Sequence, residues 1–95
     1  GVFACSDLMA LGAMEAIAAA DKAGEITIVG FDAIAEAREE IAAANLAASV
    51  AQNPEGMGRL AIEYAVKVLA GETIPKSVPV DIELITRDKA RPAPR

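Results

Sequence analysis

The stretch Ile26-Thr27-Ile28-Val29-Gly30-Phe31-Asp32 decides the fold, because an apolar run stops there on a carboxylate and a helical pattern follows. Two other runs behave in the same way: Val2-Phe3-Ala4-Cys5 leads into Ser6-Asp7, and Leu46-Ala47-Ala48-Ser49-Val50-Ala51 leads into Gln52. Short apolar runs that alternate with helices are typical of buried parallel strands. We therefore predict a three-layer α/β sandwich with a parallel sheet.

The boundaries of the predicted elements follow from hydrophobic spacing and from capping residues. Gly24, Asn45 and Gly71 are placed to end the three helices, and Pro54 suits the first turn of the third. The order of the strands in the sheet stays open. The strands are predicted near 2–5, 26–31, 46–51 and 79–86, and the helices near 7–23, 34–44 and 54–70. The buried face of the first helix is predicted to consist of Met9, Ala13, Ala16, Ile17 and Ala20.

The composition argues against several kinds of chemistry. The 95 residues include no histidine and one cysteine, so the commonest general base is missing and an internal disulfide cannot form. A net charge of −5 disfavours direct contact with nucleic acid. Neither a G-x-G-x-x-G motif nor a P-loop occurs, and we expect no cofactor, no metal and no enzymatic activity. Cys5 lies inside an apolar run and is predicted to be a small core residue.

Polar side chains follow each of the three predicted parallel strands: Ser6 and Asp7, then Asp32, then Gln52. Ligands bind beyond the carboxyl ends of the strands in such sheets, so these groups are predicted to form a site for a small polar molecule. Structural roles compete with this interpretation. A helix cap formed by one of Ser6 and Asp7 would alone explain both residues, and otherwise the one that does not cap faces the ligand. Asp32 either caps a helix or accepts bonds from ligand hydroxyls, and Gln52 is either a solvated turn residue or a ligand contact.

Three motifs occur along the chain in this order: Phe3-Ala4-Cys5-Ser6-Asp7-Leu8-Met9-Ala10-Leu11-Gly12-Ala13, Ile28-Val29-Gly30-Phe31-Asp32, and Ala51-Gln52-Asn53-Pro54 with Met57-Gly58. In this order and spacing they resemble the C-terminal part of type I periplasmic binding proteins, in particular the sugar-binding members of the ribose-binding type. The resemblance extends to about Thr86. It implies a monosaccharide, ribose-like, bound by Ser6, Asp32 and Gln52, although Ser6 stands where ribose-type members have Asn.

The family resemblance also implies an organisation. Residues 1–52 would belong to the C-terminal lobe, residues 53–86 would cross to the other lobe and return, and residues 87–95 form a basic, Pro-containing tail that is predicted to be disordered. The 95-residue chain would then be incomplete as a functional unit. Alone, it would be marginally stable or would self-associate.

Two functions fit this fold. The first is a solute-binding protein that delivers its sugar to the membrane permease of an ABC importer, in the periplasm or anchored at the cell surface. The alternative is the effector-binding domain of a lactose-repressor-family regulator in the cytoplasm. The Ile74-Pro75-Lys76-Ser77-Val78-Pro79-Val80-Asp81 segment looks more like the transport proteins, which favours the first function.

Overall fold

The computed structural model of the chain describes residues 1–90. Short strands alternate with helices along this range, in the order that the sequence predicts. The elements are β1 (Val2–Phe3), α1 (Asp7–Ala19), β2 (Ile28–Phe31), α2 (Ala35–Ala42), β3 (Ala48–Ala51), α3 (Pro54–Leu69), β4 (Glu83–Ile85) and α4 (Arg87–Ala90).

The described residues divide into two compact units. The sheet unit comprises residues 1–52 and 83–90, and the helical unit comprises residues 53–82. The first boundary coincides with the predicted change of segment after Gln52. The second lies four residues before the predicted one, because β4 begins at Glu83 and pairs within the sheet unit. Which lobe of a larger protein each unit belongs to stays a prediction.

The sheet has the strand order β1-β2-β3-β4. The β1–β2 and β2–β3 pairs are parallel, as predicted, and Gly30 lies opposite Ser49 in the second of them. β4 runs antiparallel to β3, with Val50 opposite Leu84. The predicted parallel sheet is therefore corrected to a mixed one, whose fourth strand returns from the helical unit to the edge of β3.

The core of the sheet unit lies between the sheet and its helices. α1 packs on β2, α2 on β3, and α4 on α2 and β4. Right-handed crossovers between successive parallel strands place α1 and α2 on the same face of the sheet. Ala37 and Ile41 lie on the buried side of α2, as their spacing predicts, and both are fully buried. The core consists of Ala4, Ala10, Ile28, Ala33, Ala37, Ile41, Leu46 and Ile85.

The first helix differs from its prediction in length and in its buried face. α1 ends at Ala19 because Asp21 adopts a left-handed φ of 60° and the amide of Lys22 donates to the carbonyl of Ile17. Its buried positions are Asp7 and Ala10, and Met14 and Ile17 pack against the core. Met9, predicted to be buried, is 62% exposed. The sequence does not distinguish these faces, because this alanine-rich helix is apolar nearly all round.

Two further local predictions are wrong. The left-handed residue after α2 is Ala44, with φ 65°, and not Asn45, whose side-chain amide instead donates to Glu40. Cys5 is exposed and not a core residue. The prediction for the third helix holds: α3 ends at Leu69, and Gly71 follows with a φ of 85°.

The predicted disordered tail is also corrected in part. Residues Arg87–Ala90 form α4, and Ala90 packs against the core of the sheet unit. A 2.9 Å ion pair between Lys89 and Glu83 joins this short helix to β4. The other five residues of the predicted tail, 91–95, lie outside the described residues.

The helical unit is built on α3, which has the clearest apolar stripe in the sequence. Asn53 caps its first turn by accepting a 3.0 Å hydrogen bond from the amide of Gly56. Leu60 and Tyr64 face the segment around Ile74 and Val78 across an apolar groove of about 320 Å³. Among the helices of residues 1–90, none combines the length and the hydropathy that a bilayer crossing requires.

Candidate functional site

Three of the predicted site residues emerge at one edge of the sheet. Asp32 follows β2 directly, Gln52 follows β3 directly, and Ser6 lies at the start of α1, just after β1. Because these three strands are parallel and adjacent, their carboxyl ends point the same way. The backbone therefore delivers all three side chains to the same edge, as the sequence predicts.

Asp32 and Gln52 form a direct pair. The Nε2 atom of Gln52 donates to Oδ1 of Asp32 at 2.8 Å. Asp32 is exposed and Gln52 is half-buried, so the pair stays accessible from solvent. Among the hydrogen bonds of residues 1–90, Oδ2 of Asp32 and Oε1 of Gln52 have no protein partner. The pair thus offers a charged acceptor, a neutral acceptor and the second Nε2 hydrogen to a ligand.

Ser6 has the structural role that the sequence allows for it. It is the N-cap of α1, with extended backbone, and its Oγ accepts a 3.2 Å hydrogen bond from the amide of Met9. Accepting this bond leaves the hydroxyl hydrogen available to donate. The cap and a ligand contact are therefore chemically compatible, and the ligand contact stays a prediction.

Asp7 does not face a ligand, contrary to the expectation for whichever of Ser6 and Asp7 does not cap. Its side chain is buried, with 1% of the residue exposed. Oδ1 accepts a 2.6 Å hydrogen bond from Oγ of Ser49, and Oδ2 accepts one of 2.8 Å from the amide of Ile34. Gly30 makes this position possible, because a Cβ there would overlap the Asp7 carboxylate.

The turn that carries Asp32 has an unusual backbone. Asp32 and Ala33 both have positive φ, at 115° and 57°. The amide of Asp32 donates to the carbonyl of Val50 at 2.8 Å, and that of Ala33 donates to Oγ of Ser49 at 3.0 Å. Asp32 does not cap α2: the N-cap position is Ile34, whose amide is satisfied by Asp7. The helix-cap explanation of Asp32 is therefore wrong.

Sequence reasoning missed Ser49 and the role of Asp7. The available signal was a hydroxyl inside the apolar run 46–51, where an isolated polar group needs a partner. Within residues 1–90, no group of three or more histidine, cysteine, aspartate or glutamate residues is placed to hold a metal ion. At this edge, Asp32, Gln52 and Ser6 offer hydrogen-bond donors and acceptors.

The chain is similar in sequence to a known protein family. The family model of the periplasmic binding protein domain matches residues 1–73. The ribose import binding protein of Haemophilus influenzae is 40% identical over 85 residues, which cover 90% of this chain and 28% of that protein.

Two solved structures share the fold. A periplasmic solute-binding protein of an ABC transporter from Actinobacillus succinogenes, with bound D-allose, has a TM-score of 0.82 and 31% identity over 95% of this chain and 32% of its own. The Caulobacter myo-inositol binding protein, bound to myo-inositol, has a TM-score of 0.78 and 37% identity over 93% of this chain and 30% of its own. These structures confirm the predicted α/β fold of the periplasmic-binding-protein type, with the sheet mixed as described above. The chain spans about a third of their length or less. The chain belongs to the periplasmic binding protein family.

Proposed function

We propose that the gene product carrying this sequence is a solute-binding protein that captures a monosaccharide or a similar cyclic polyol for ABC-type import. The sheet unit would supply one wall of the binding site, with Asp32, Gln52 and Ser6 as its ligand contacts. The observation that carries the proposal is the accessible Asp32–Gln52 pair at the carboxyl edge of the sheet. The three proteins named above are binding proteins for ribose, D-allose and myo-inositol, which supports the same class of ligand here.

The pair suits a ligand that is rich in hydroxyl groups. Each sugar hydroxyl can donate to a carboxylate oxygen of Asp32 and accept from the Gln52 amide. A hydrogen bond to a charged group contributes about 1.5–3 kcal/mol, more than one between neutral partners. Ser6 offers a single short hydroxyl where ribose-type members have an amide. The preferred ligand is therefore to be identified by titrating a panel that includes D-ribose, D-allose, myo-inositol and D-glucose.

The proposal extends to the protein's partner and location. An import function requires the membrane permease of an ABC transporter as partner, and a periplasmic or cell-surface location. We assign the protein no catalytic activity, since the named relatives are binding proteins. The helical unit, residues 53–82, is proposed to belong to the second lobe.

The repressor alternative is not favoured, because the first relative named above is an import binding protein and the Actinobacillus succinogenes protein is a solute-binding protein of an ABC transporter. The repressor function and the import function predict different segments in the rest of the gene product. A helix-turn-helix segment encoded in the same gene product would support regulation and overturn import, whereas a secretion signal would support import.

The proposal is tested by calorimetric titration of the whole gene product with that panel. Asp32→Asn keeps the shape of the side chain and tolerates positive φ, but it loses the charge and turns one acceptor into a donor. Losing one charge-assisted bond should weaken binding about ten- to a hundredfold, at 1.4 kcal/mol per decade. Gln52→Ala should weaken it somewhat less.

Glu36→Gln is the matched control, because it removes an exposed carboxylate from the first turn of α2 in the same unit. Its affinity should equal that of the wild type. Unchanged affinity in Asp32→Asn, together with a lower melting temperature, would show that the carboxylate is structural only. Absence of binding to every member of the panel would overturn the proposed ligand class.

A further inference from the structure

The turn that presents Asp32 holds two successive non-glycine residues at positive φ, Asp32 at 115° and Ala33 at 57°. Such a conformation persists only where the surroundings over-determine it, and it is concentrated at functional sites. Asp32 is exposed, so packing of its own side chain does not hold this backbone conformation. Other residues of the sheet unit must therefore hold it.

Three successive amides of this turn are each held by a different group. The amide of Asp32 donates to the backbone carbonyl of Val50 at 2.8 Å, and that of Ala33 donates to the Ser49 hydroxyl at 3.0 Å. The amide of Ile34 donates to Oδ2 of Asp7 at 2.8 Å. β3 and α1 thus clamp the turn from two sides, and neither side-chain contact is local in sequence.

The two side chains of this clamp are joined to each other. The Ser49 hydroxyl accepts from the Ala33 amide and donates its own hydrogen to Oδ1 of Asp7 at 2.6 Å. Ser49 is 0% exposed and Asp7 is 1% exposed, so water cannot replace either group without a rearrangement. Within residues 1–90, every buried side-chain nitrogen and oxygen has a partner. Both oxygens of the Asp7 carboxylate and the Ser49 hydroxyl are therefore paired.

The N-termini of two helices, α1 and α2, stabilise the Asp7 carboxylate. Asp7 is the first residue of α1, and its Oδ2 accepts from the amide of the N-cap residue of α2. Negative charge is favoured at the N-terminus of a helix, where the macrodipole is positive. One buried carboxylate therefore ties the beginning of two helices to the turn between β2 and α2.

We propose that Asp7 and Ser49 are positioning residues for Asp32, a role that rests on the proposed sugar-binding function. Neither side chain is exposed enough to touch a ligand. Their part is to keep the Asp32–Ala33 backbone in its left-handed conformation, so that the Asp32 carboxylate is presented to the ligand already paired with Gln52. Without them, the turn is free to relax to negative φ, and the carboxylate changes direction.

The test uses Ser49→Ala in the whole gene product, with D-ribose as the titrated probe. Ser49→Ala should weaken D-ribose binding about tenfold in the wild-type background and less than twofold in the Asp32→Asn background. A double-mutant cycle isolates this coupling, because a positioning effect disappears once the positioned group is gone. Asp7→Asn, which puts an amide where two donors converge, should act in the same direction.

A second readout needs no sugar. In nuclear magnetic resonance spectra, hydrogen exchange at the Ala33 amide should be at least about tenfold faster in Ser49→Ala, measured relative to a β2 amide. The side-chain amide signals of Gln52 should also move, because its partner Asp32 has moved. Leu46→Ala is the matched control: it truncates a buried core residue before the start of β3, and should lower the melting temperature without changing either signal.

The two proposals fail in different ways. If the wild-type protein binds no sugar, the proposed function fails, while the exchange and Gln52 signals still decide the positioning role. If Ser49→Ala weakens D-ribose equally in both backgrounds, or leaves the Ala33 and Gln52 signals unchanged, the positioning role is refuted. An effect that merely follows the melting temperature, as in Leu46→Ala, refutes it too.

Discussion

Gly30→Ala is the substitution for which the structure gives the most definite expectation. Gly30 lies on β2 beneath α1, and its φ is not in the left-handed region. The reason for glycine is space: a Cβ would overlap Oδ1 of Asp7 and would stand 3.1 Å from the Cβ of Ala10. Adding one methyl group therefore forces the buried carboxylate out of its place, although alanine is otherwise compatible with a strand.

The magnitude follows from the bonds that the carboxylate would lose. Its two hydrogen bonds, from Ser49 and from the amide of Ile34, involve a charged acceptor and contribute about 1.5–3 kcal/mol each. Replacing glycine by alanine stabilises the folded protein by about 0.4–1 kcal/mol, because alanine lowers the conformational entropy of the unfolded chain. The expected net loss is about 2–5 kcal/mol. This is a large part of the 5–15 kcal/mol that is typical of a folded protein.

The assay is urea denaturation of the whole gene product, with the free energy of unfolding compared between variants. Gly12→Ala is the control, because Gly12 is an exposed position of α1 with no atom within 4 Å of an added Cβ. In a helix interior this change should stabilise by about 0.5–1 kcal/mol. The Gly30→Ala and Asp7→Ala double variant completes a cycle, since removing the carboxylate first removes most of the overlap.

Additivity would refute the reasoning. If Gly30→Ala destabilises the Asp7→Ala protein as much as it destabilises the wild type, then contact with the carboxylate does not explain the glycine. A small residual loss is consistent with the argument, because Ala10 remains close. An unchanged free energy of unfolding in Gly30→Ala alone would contradict both the overlap and the importance of the Asp7 network.

Two other variants test the core and the cap. Ile41→Ala, at a fully buried position of α2, should lower the free energy of unfolding by about 2–5 kcal/mol in the same denaturation assay, and a loss under 1 kcal/mol would show a less well-packed core. Ser6→Ala removes the side chain that accepts from the Met9 amide and should destabilise by about 1 kcal/mol. Its sugar affinity in calorimetry should fall less than that of Asp32→Asn or Gln52→Ala, and a larger fall would make Ser6 the dominant contact.

The elements that the sequence predicts best are those with a clear apolar signal. β2 follows from the unbroken apolar run 26–31, which stops on Asp32. α2 follows from Ala37 and Ile41, which repeat at four residues among polar neighbours and are both fully buried. α1 lacks such contrast: alanine and other apolar residues surround it, so the sequence cannot say that Met9 is outside and Ala10 inside.

Helix ends are less predictable, because more than one residue near an end can adopt a left-handed conformation. Gly24 does have positive φ, but α1 has already ended at Ala19, because Asp21 adopts a left-handed conformation and aspartate tolerates this region too. After α2 the left-handed residue is Ala44, and the sequence does not indicate this because alanine has no preference for positive φ. In both places the amide of the following residue donates to a carbonyl five residues back, so the backbone hydrogen bonds of the last turn set the end.

The residues of the candidate site also differ in how well the sequence predicts them. Asp32 and Gln52 were predictable because they end strands, and parallel strands bring their carboxyl ends together. The Asp7–Ser49 bond joins residues 42 apart, so no local pattern reveals it. Yet the register explains it afterwards: Gly30 lies opposite Ser49, and both are buried. The missing side chain at Gly30 leaves room for a carboxylate, and the hydroxyl beside it supplies the donor. A glycine and a serine at paired buried positions of adjacent strands therefore indicate a polar group from the covering helix, and here that group is Asp7.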